Sequence, residues 1–272
     1  MFKMITLTPL RAFNVPIQAP CITPDEFANK SVAEVTKLPV TEGNRHVTLG
    51  DLFKIEQNAS ESSSITINGE CSKVKRVGQG MTSGEIIING NIGMHTGEKM
   101  AGGKIVVNGN TGGWTGSEMK KGIIEIHGDA GDYTASPYRG NDLGMKGGLI
   151  TVEGNVGTDV GCYLQGGIIK VKGNAGRFLG FHMSEGAIYV EKDCDVRAGA
   201  LMTAGKIVIG GKLEILPSFT IDSIKAKVKV DAETTVQGPF YVFLGDLSEK
   251  GKGKIFASKT NNPEFKFYEK YL

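Results

Sequence analysis

Long apolar runs are missing from this 272-residue chain. No stretch of 18 apolar residues exists to span a bilayer, and the opening MFKMITLTPLRAF is too broken by polar residues to be a signal peptide. Cysteine is scarce as well: Cys21, Cys71, Cys162 and Cys194 lie far apart and form no CxxC pair. That spacing argues for a reduced, cytoplasmic setting over a disulfide scaffold. An excess of either charge is also lacking, and a net charge of +2 gives no general attraction to nucleic acid or to anionic membrane.

Motifs that carry chemistry are equally thin. The four histidines, His46, His95, His127 and His182, share no metal-ligand spacing. The stretch GEKMAGGK, Gly97 to Lys104, has one glycine too many for a P-loop and runs into a strand where a helix is required. No crossover helix supports a dinucleotide site, and no Ser/His/Asp or Cys/His arrangement stands out. Asp129, Asp132, Asp159 and Asp193 fall near corners where Asx turns are expected, which makes them poor catalytic carboxylates. These shortages describe a chain whose work is shape and contact.

Glycine is the excess: 39 of 272 residues, about twice the usual share of roughly 7%. It is periodic. Gly84, Gly103, Gly122, Gly148, Gly167, Gly186 and Gly205 each open a short apolar strand, at steps of 19, 19, 26, 19, 19 and 19 residues. The second and fourth positions of every strand, from Ile86/Ile88 through Ile124/Ile126 to Ile207/Ile209, are Ile or Val without exception. Such residues favour a pleated surface and point to one face at period two. The pattern predicts an all-β chain: a right-handed parallel β-helix, or solenoid, of about eight coils, each about 4.8 Å above the last. The Asn-Gly pairs at 89–90 and 108–109 read as corners, since no alternating return strand follows to make a hairpin. Two glycine columns lie on the second side of each coil: Gly93, Gly112, Gly131, Gly157 and Gly176, and then Gly97, Gly116, Gly161, Gly180 and Gly199, with Ala135 interrupting the second. Both are expected to supply the positive φ of tight bends. A column of Met81, Met100, Met119, Met145, Leu164, Met183 and Met202 reads as core filling, because the leucine fills space and cannot ligate.

Departures from the repeat point to partners. The 26-residue step carries seven extra residues around Ser136 to Leu143, and this inserted loop offers Tyr138, Arg139 and Asp142 as contact residues. On the outward first position, Ile123, Leu149, Ile168 and Ala187 follow one another, and an apolar row of this kind predicts a cover over Ile123, Leu149 and Ile168, from this chain or from a partner. The ends differ from the middle: a short helix is expected near Pro24, a degenerate first strand at SSITINGE (Ser63 to Glu70), and strands at Lys225 to Val230 and Phe240 to Leu247 before an aromatic tail. The expected domains are an N-terminal extension and cap at 1–62, the glycine-repeat β-helix at 63–216, and a C-terminal β-rich cap and tail at 217–272.

The coils GNIGMHTGEKMAGGKIVVNGNTGGWTGSEMKKGIIEIHG resemble the C-terminal glycine-repeat β-helix of glutamate synthase. The whole chain, with RHVTLGDLF (Arg45 to Phe53) and GPFYVFLGDLSEKGKGKIF (Gly238 to Phe256), resembles the C-type subunit of formylmethanofuran dehydrogenase of the tungsten or molybdenum type. That second resemblance implies a noncatalytic structural subunit of a cytoplasmic complex that reduces carbon dioxide and fixes it on methanofuran as a formyl group, the first step of methanogenesis. It implies a tungsto- or molybdopterin site with an iron-sulfur cluster on one partner, a binuclear metal site on an amidohydrolase-like partner, and further clusters on ferredoxin-like partners. No cofactor and no catalytic residue is implied for this chain. Two other readings compete. A self-contained β-helix enzyme would need clustered carboxylates or a six-residue subperiod, and a detached glutamate-synthase-like domain would travel with a glutamate-processing enzyme.

Overall fold

The computed structural model describes residues 2–60 and 63–272. The chain is mostly β. Its elements are β1 (Phe2–Pro9), β2 (Ile17–Gln18), α1 (Pro24–Phe27), α2 (Val32–Thr36), β3 (Pro39–Glu42), β4 (Arg45–Thr48), α3 (Leu49–Leu52), β5 (Phe53–Ser60), β6 (Ser64–Asn68) and β7 (Val74–Lys75). The repeat follows as β8 (Glu85–Asn89), β9 (Ala101–Val107), β10 (Lys121–Ile126), β11 (Leu149–Val152), β12 (Gln165–Val171), β13 (Glu185–Val190) and β14 (Lys206–Ile209). A hairpin of β15 (Thr220–Lys229) and β16 (Thr235–Gly245), then β17 (Gly253–Ser258), complete the strands.

From β6 through β8 to β14 each strand pairs in parallel with the next, and within the glycine repeat the register shift is one repeat: Ile105 opposite Ile124, Ile124 opposite Ile150, Ile150 opposite Ile169. The inward Ile and Val columns are fully buried, as is the Met81-to-Met202 column. The methionines have a defined seat. A Cβ on Gly122, which holds a φ of +101°, would lie 2.7 Å from Met100 Cε, so the bare glycine that opens one strand receives the methionine of the repeat before it. A second parallel ladder of single bridges runs Cys71, Ile92, Thr111, Ala130, Val156, Ala175, Cys194 on the other side of the repeat.

The large sheet is mixed, where the sequence predicts a parallel solenoid between caps. Its 13 strands run β15-β16-β17-β14-β13-β12-β11-β10-β9-β8-β6-β1-β5, and β15, β16 and β17 pair antiparallel, as do β1 and β5. The reason lies at the ends. The stack's terminal strands would otherwise present unpaired N–H and C=O groups, and antiparallel strand pairs from the flanking segments take them up: β1 adds in parallel to β6, and β17 in parallel to β14. The sheet takes in strands from both flanking segments, β1 and β5 before the repeat and β15, β16 and β17 after it, and the boundary expected after residue 62 falls outside the described residues. Strands β2, β3 and β4 of the N-terminal segment join β7 in a four-stranded sheet, β4-β3-β2-β7, and α1 is capped at Thr23, whose Oγ1 accepts from Glu26 N at 3.1 Å.

The two glycine columns differ in cause. Gly116 has a φ of +65° and needs glycine's freedom, and a Cβ there would also sit 2.4 Å from Ile150 Cδ1. Gly93 has no positive φ; a Cβ there would lie 2.4 Å from the carbonyl oxygen of Val74, so the requirement is close approach of neighbouring backbones.

Candidate partner interface

Three residue columns per repeat adopt the left-handed conformation on the side away from the main strands, and two of them carry side chains outward. The first of these runs Arg76, His95, Trp114, Tyr133, Asp159, Phe178, Arg197, with φ between 57° and 68°. Equal spacing along the stack brings their rings face to face. His95 and Trp114 stack with centroids 5.4 Å apart and planes 8° off parallel, Trp114 and Tyr133 at 4.7 Å and 7°. The second outward column stacks Tyr163 on His182 at 4.8 Å, with Phe181 edge-on to both.

The inserted loop folds back over this aromatic ladder. Tyr138 tilts against His95 at 5.7 Å and Trp114 at 5.6 Å, and the Arg139 guanidinium lies 5.9 Å from the Tyr133 ring centre. Asp142 is exposed on the same loop. Tyr138, Arg139 and Asp142 thus stand together at one place on the surface, Tyr138 half exposed at 52%. Beneath them an ionic cluster anchors the ladder's start: Arg76 pairs with the buried Glu98, and His95 Nδ1 lies 3.2 Å from the same carboxylate. Burial opposes ionisation of Glu98, yet the neighbouring His95 and the Arg76 guanidinium hold its carboxyl below the usual range.

The outward sheet row is divided by the β15–β16 hairpin. Ile168, with Ala187 and Val208, packs against Val228, Val230 and Phe240, and the turn is tied down by Lys170, whose Nζ lies 2.5 Å from Asp231 Oδ2 and donates to Thr234 Oγ1 at 2.6 Å. Burial raises the Asp231 pKa, but the bonds from Lys170 and from the backbone N–H groups of Thr234 and Glu233 outweigh it and lower the value from 3.8 to about 2. Ile123, 37% exposed, and the half-buried Leu149 stand outside the cluster beneath the hairpin.

The four aspartates take structural places that the sequence does not announce. Asp129 and Asp193 are rungs of a side-chain ladder with Asn91, Asn110, Asn155 and Asn174, in which each side-chain oxygen accepts from the backbone N–H one repeat on, at 2.7 to 3.1 Å. Asp132 accepts from Thr158 N at 2.8 Å. These are bonds between repeats where local Asx turns were expected. Asp159 occupies the outward column, its carboxylate 3.8 Å from Cys162 Sγ.

No family model matches the chain. The C-type subunit of the tungsten-containing formylmethanofuran dehydrogenase 2 of Methanococcus maripaludis is 46% identical to it over 92% of this chain and 94% of its own length. The chain belongs to the family of formylmethanofuran dehydrogenase C-type subunits. A molybdenum-containing relative, the C-type subunit of formylmethanofuran dehydrogenase 1 of Methanothermobacter marburgensis, is 42% identical over 34% of this chain and 23% of its own length. Among solved structures, a chain of the formyltransferase/hydrolase complex FhcABCD of Methylorubrum extorquens, crystallised with methylofuran, matches with a TM-score of 0.80 and 27% identity, covering 93% of this chain and 99% of that one.

For a member of this family the donor set matters, because the relatives' names carry tungsten or molybdenum. Among the described residues no three His, Cys, Asp or Glu side chains converge to hold a metal. The cysteines do not fit a cluster either. All four are free thiols, and burial pushes Cys71, Cys162 and Cys194 up to about 12 and Cys21 to about 11. Among the described residues no helix is long and apolar enough to cross a membrane.

Proposed function

We propose that this chain is the noncatalytic structural subunit of a formylmethanofuran dehydrogenase complex, which reduces carbon dioxide and forms N-formylmethanofuran in the first step of methanogenesis. The observation that carries the reading is the 46% identity along nearly the full length of a C-type subunit. The scaffold role is supported by a surface built of stacked rings and an apolar row, with the converging polar side chains spent on hydrogen bonds between repeats. The pterin, the iron-sulfur clusters and the binuclear metal site then belong to pterin-bearing, ferredoxin-like and amidohydrolase-like partners. Four unpaired thiols suit a reducing cytoplasm.

In this reading the repeat is a right-handed parallel β-helix of about eight coils spanning 63–216, with caps at 1–62 and 217–272. The one-repeat register and the second bridge ladder support the winding, and right-handed crossovers between parallel strands are the strong general rule. Ile123 and Leu149 form one docking face, which runs up to Ile168 where the hairpin partly covers it, and Tyr138, Arg139 and Asp142 form another.

The test is purification of the tagged full chain from its native cells with metal analysis of what accompanies it. Tungsten or molybdenum together with iron supports the reading, and a chain recovered without metal-bearing partners defeats it. The likeness to a chain of a formyltransferase/hydrolase complex favours a second reading, in which the scaffold serves formyl transfer and hydrolysis without the redox step. A recovered complex that handles formyl groups but holds neither tungsten nor molybdenum would select it.

A further inference from the structure

The aromatic ladder has a gap. His95, Trp114 and Tyr133 stack in succession, but the next position in the column is Asp159, and an aromatic ring returns only at Phe178. At the gap lies a cavity of about 510 Å³, walled by Tyr133, Tyr138, Tyr163, Phe181, Asp142 and Asp159. The seven-residue insertion supplies its outer wall, so the gap and the loop belong to the same departure from the repeat.

We infer that this cavity receives a planar cationic side chain, an arginine, from a partner subunit. The inference rests on the reading that the inserted loop is a partner contact, and it names the chemistry of that contact. Ring faces are electron-rich and attract a cation set over them, and a guanidinium also stacks flat against such rings as an ammonium does not. The chain's own Arg139 guanidinium already lies 5.9 Å from the Tyr133 ring centre, and the missing rung leaves the faces of Tyr138, Tyr163 and Phe181 lining the same cavity for a second one. Neither Asp142 nor Asp159 forms an ion pair among the described residues, and the hydrogen bond that the Asp159 carboxylate accepts within the chain comes from a thiol, a weak donor. Two carboxylates with free acceptor oxygens match the fork of donors on a guanidinium.

Arg139 lines the same cavity, so the wall carries two negative charges against one positive, a net of minus one. On the far side of Tyr138 and Arg139 a second cavity of about 370 Å³ is lined by Lys75, Arg76 and Arg139. Arg76 is paired with Glu98, but Lys75 and Arg139 keep that neighbour less favourable to a cation than the cavity lined by Asp142 and Asp159.

The experiment retains the full chain on a resin and measures recovery of its native partners at rising salt. Wild type, Asp142→Asn, and the double variant Asp142→Asn/Asp159→Asn are compared, with melting curves as the folding control. Asn suits Asp159, since it tolerates the left-handed backbone, and Asp142 is exposed, so its variant leaves the core untouched. Partner retention is expected to fall about tenfold or more in the double variant and severalfold in Asp142→Asn, with a shallower dependence on salt and unchanged melting. Wild-type recovery of partners with undiminished recovery by both variants overturns the inference and leaves the scaffold reading intact. Failure of the wild-type chain to recover metal-bearing partners overturns both.

Discussion

Trp114 holds a φ of +57° with a large side chain attached, and six more residues in its column do likewise. A non-glycine residue in that conformation costs about 1–2 kcal/mol, so the ladder carries a repeated strain that ring stacking, at about 0.5–1.5 kcal/mol for an aromatic pair, offsets only in part. Glycine answers the same demand two residues along, at Gly116, where the side chain would point inward. Gly116→Ala combines a left-handed backbone with a clash against Ile150 Cδ1, and is expected to lower stability by about 1–3 kcal/mol in urea unfolding. The thiols give a second residue-scale expectation. With pKa values of about 12, Cys71, Cys162 and Cys194 stay protonated at pH 8. Iodoacetamide should leave these three unmodified in the native chain and alkylate all four cysteines in urea; rapid native modification of any of the three would contradict their burial.

Among the elements, the β15–β16 hairpin makes the sharpest difference between neighbouring positions. Ile168 lies under it and Ile123 does not. Ile168→Lys should therefore cost about 2 kcal/mol in stability, while Ile123→Lys should change it by less than about 0.5 kcal/mol and act instead on partner retention. Equal effects on stability would mean that the hairpin does not cover the row as described. The Lys170–Asp231 tie adds a pH dependence. The folded-state pKa of Asp231 is depressed from 3.8 to about 2, so its contribution is full above about pH 4 and is lost as pH falls through 4 toward 2. Asp231→Asn should flatten the loss of stability that thermal melts record between pH 4 and pH 2, and a variant as acid-sensitive as wild type would remove the tie from the account. The strands β8 to β14 were legible from the sequence because each repeats a burial pattern at fixed spacing. The hairpin's fold-back was not, since Val228 and Val230 read as an ordinary short strand and nothing local states which face it will cover.

Across the whole molecule, legibility ends where contacts stop being periodic. Tyr138 meets His95 and Trp114 across 43 and 24 positions of sequence, and a composition that singles out the loop does not say that it turns back onto the chain's own rings. The Asn and Asp rungs misled for the opposite reason. Their spacing is periodic, but a short polar side chain at a corner can satisfy its own turn or the next repeat, and stacking at one-repeat register selects the second. The central claim is that this surface serves assembly with metal-bearing partners. Its most direct measurement is native purification of the tagged full chain with quantification of tungsten, molybdenum and iron. The account predicts a multisubunit complex carrying one of the first two metals together with iron; a chain eluting alone, free of all three, would contradict it.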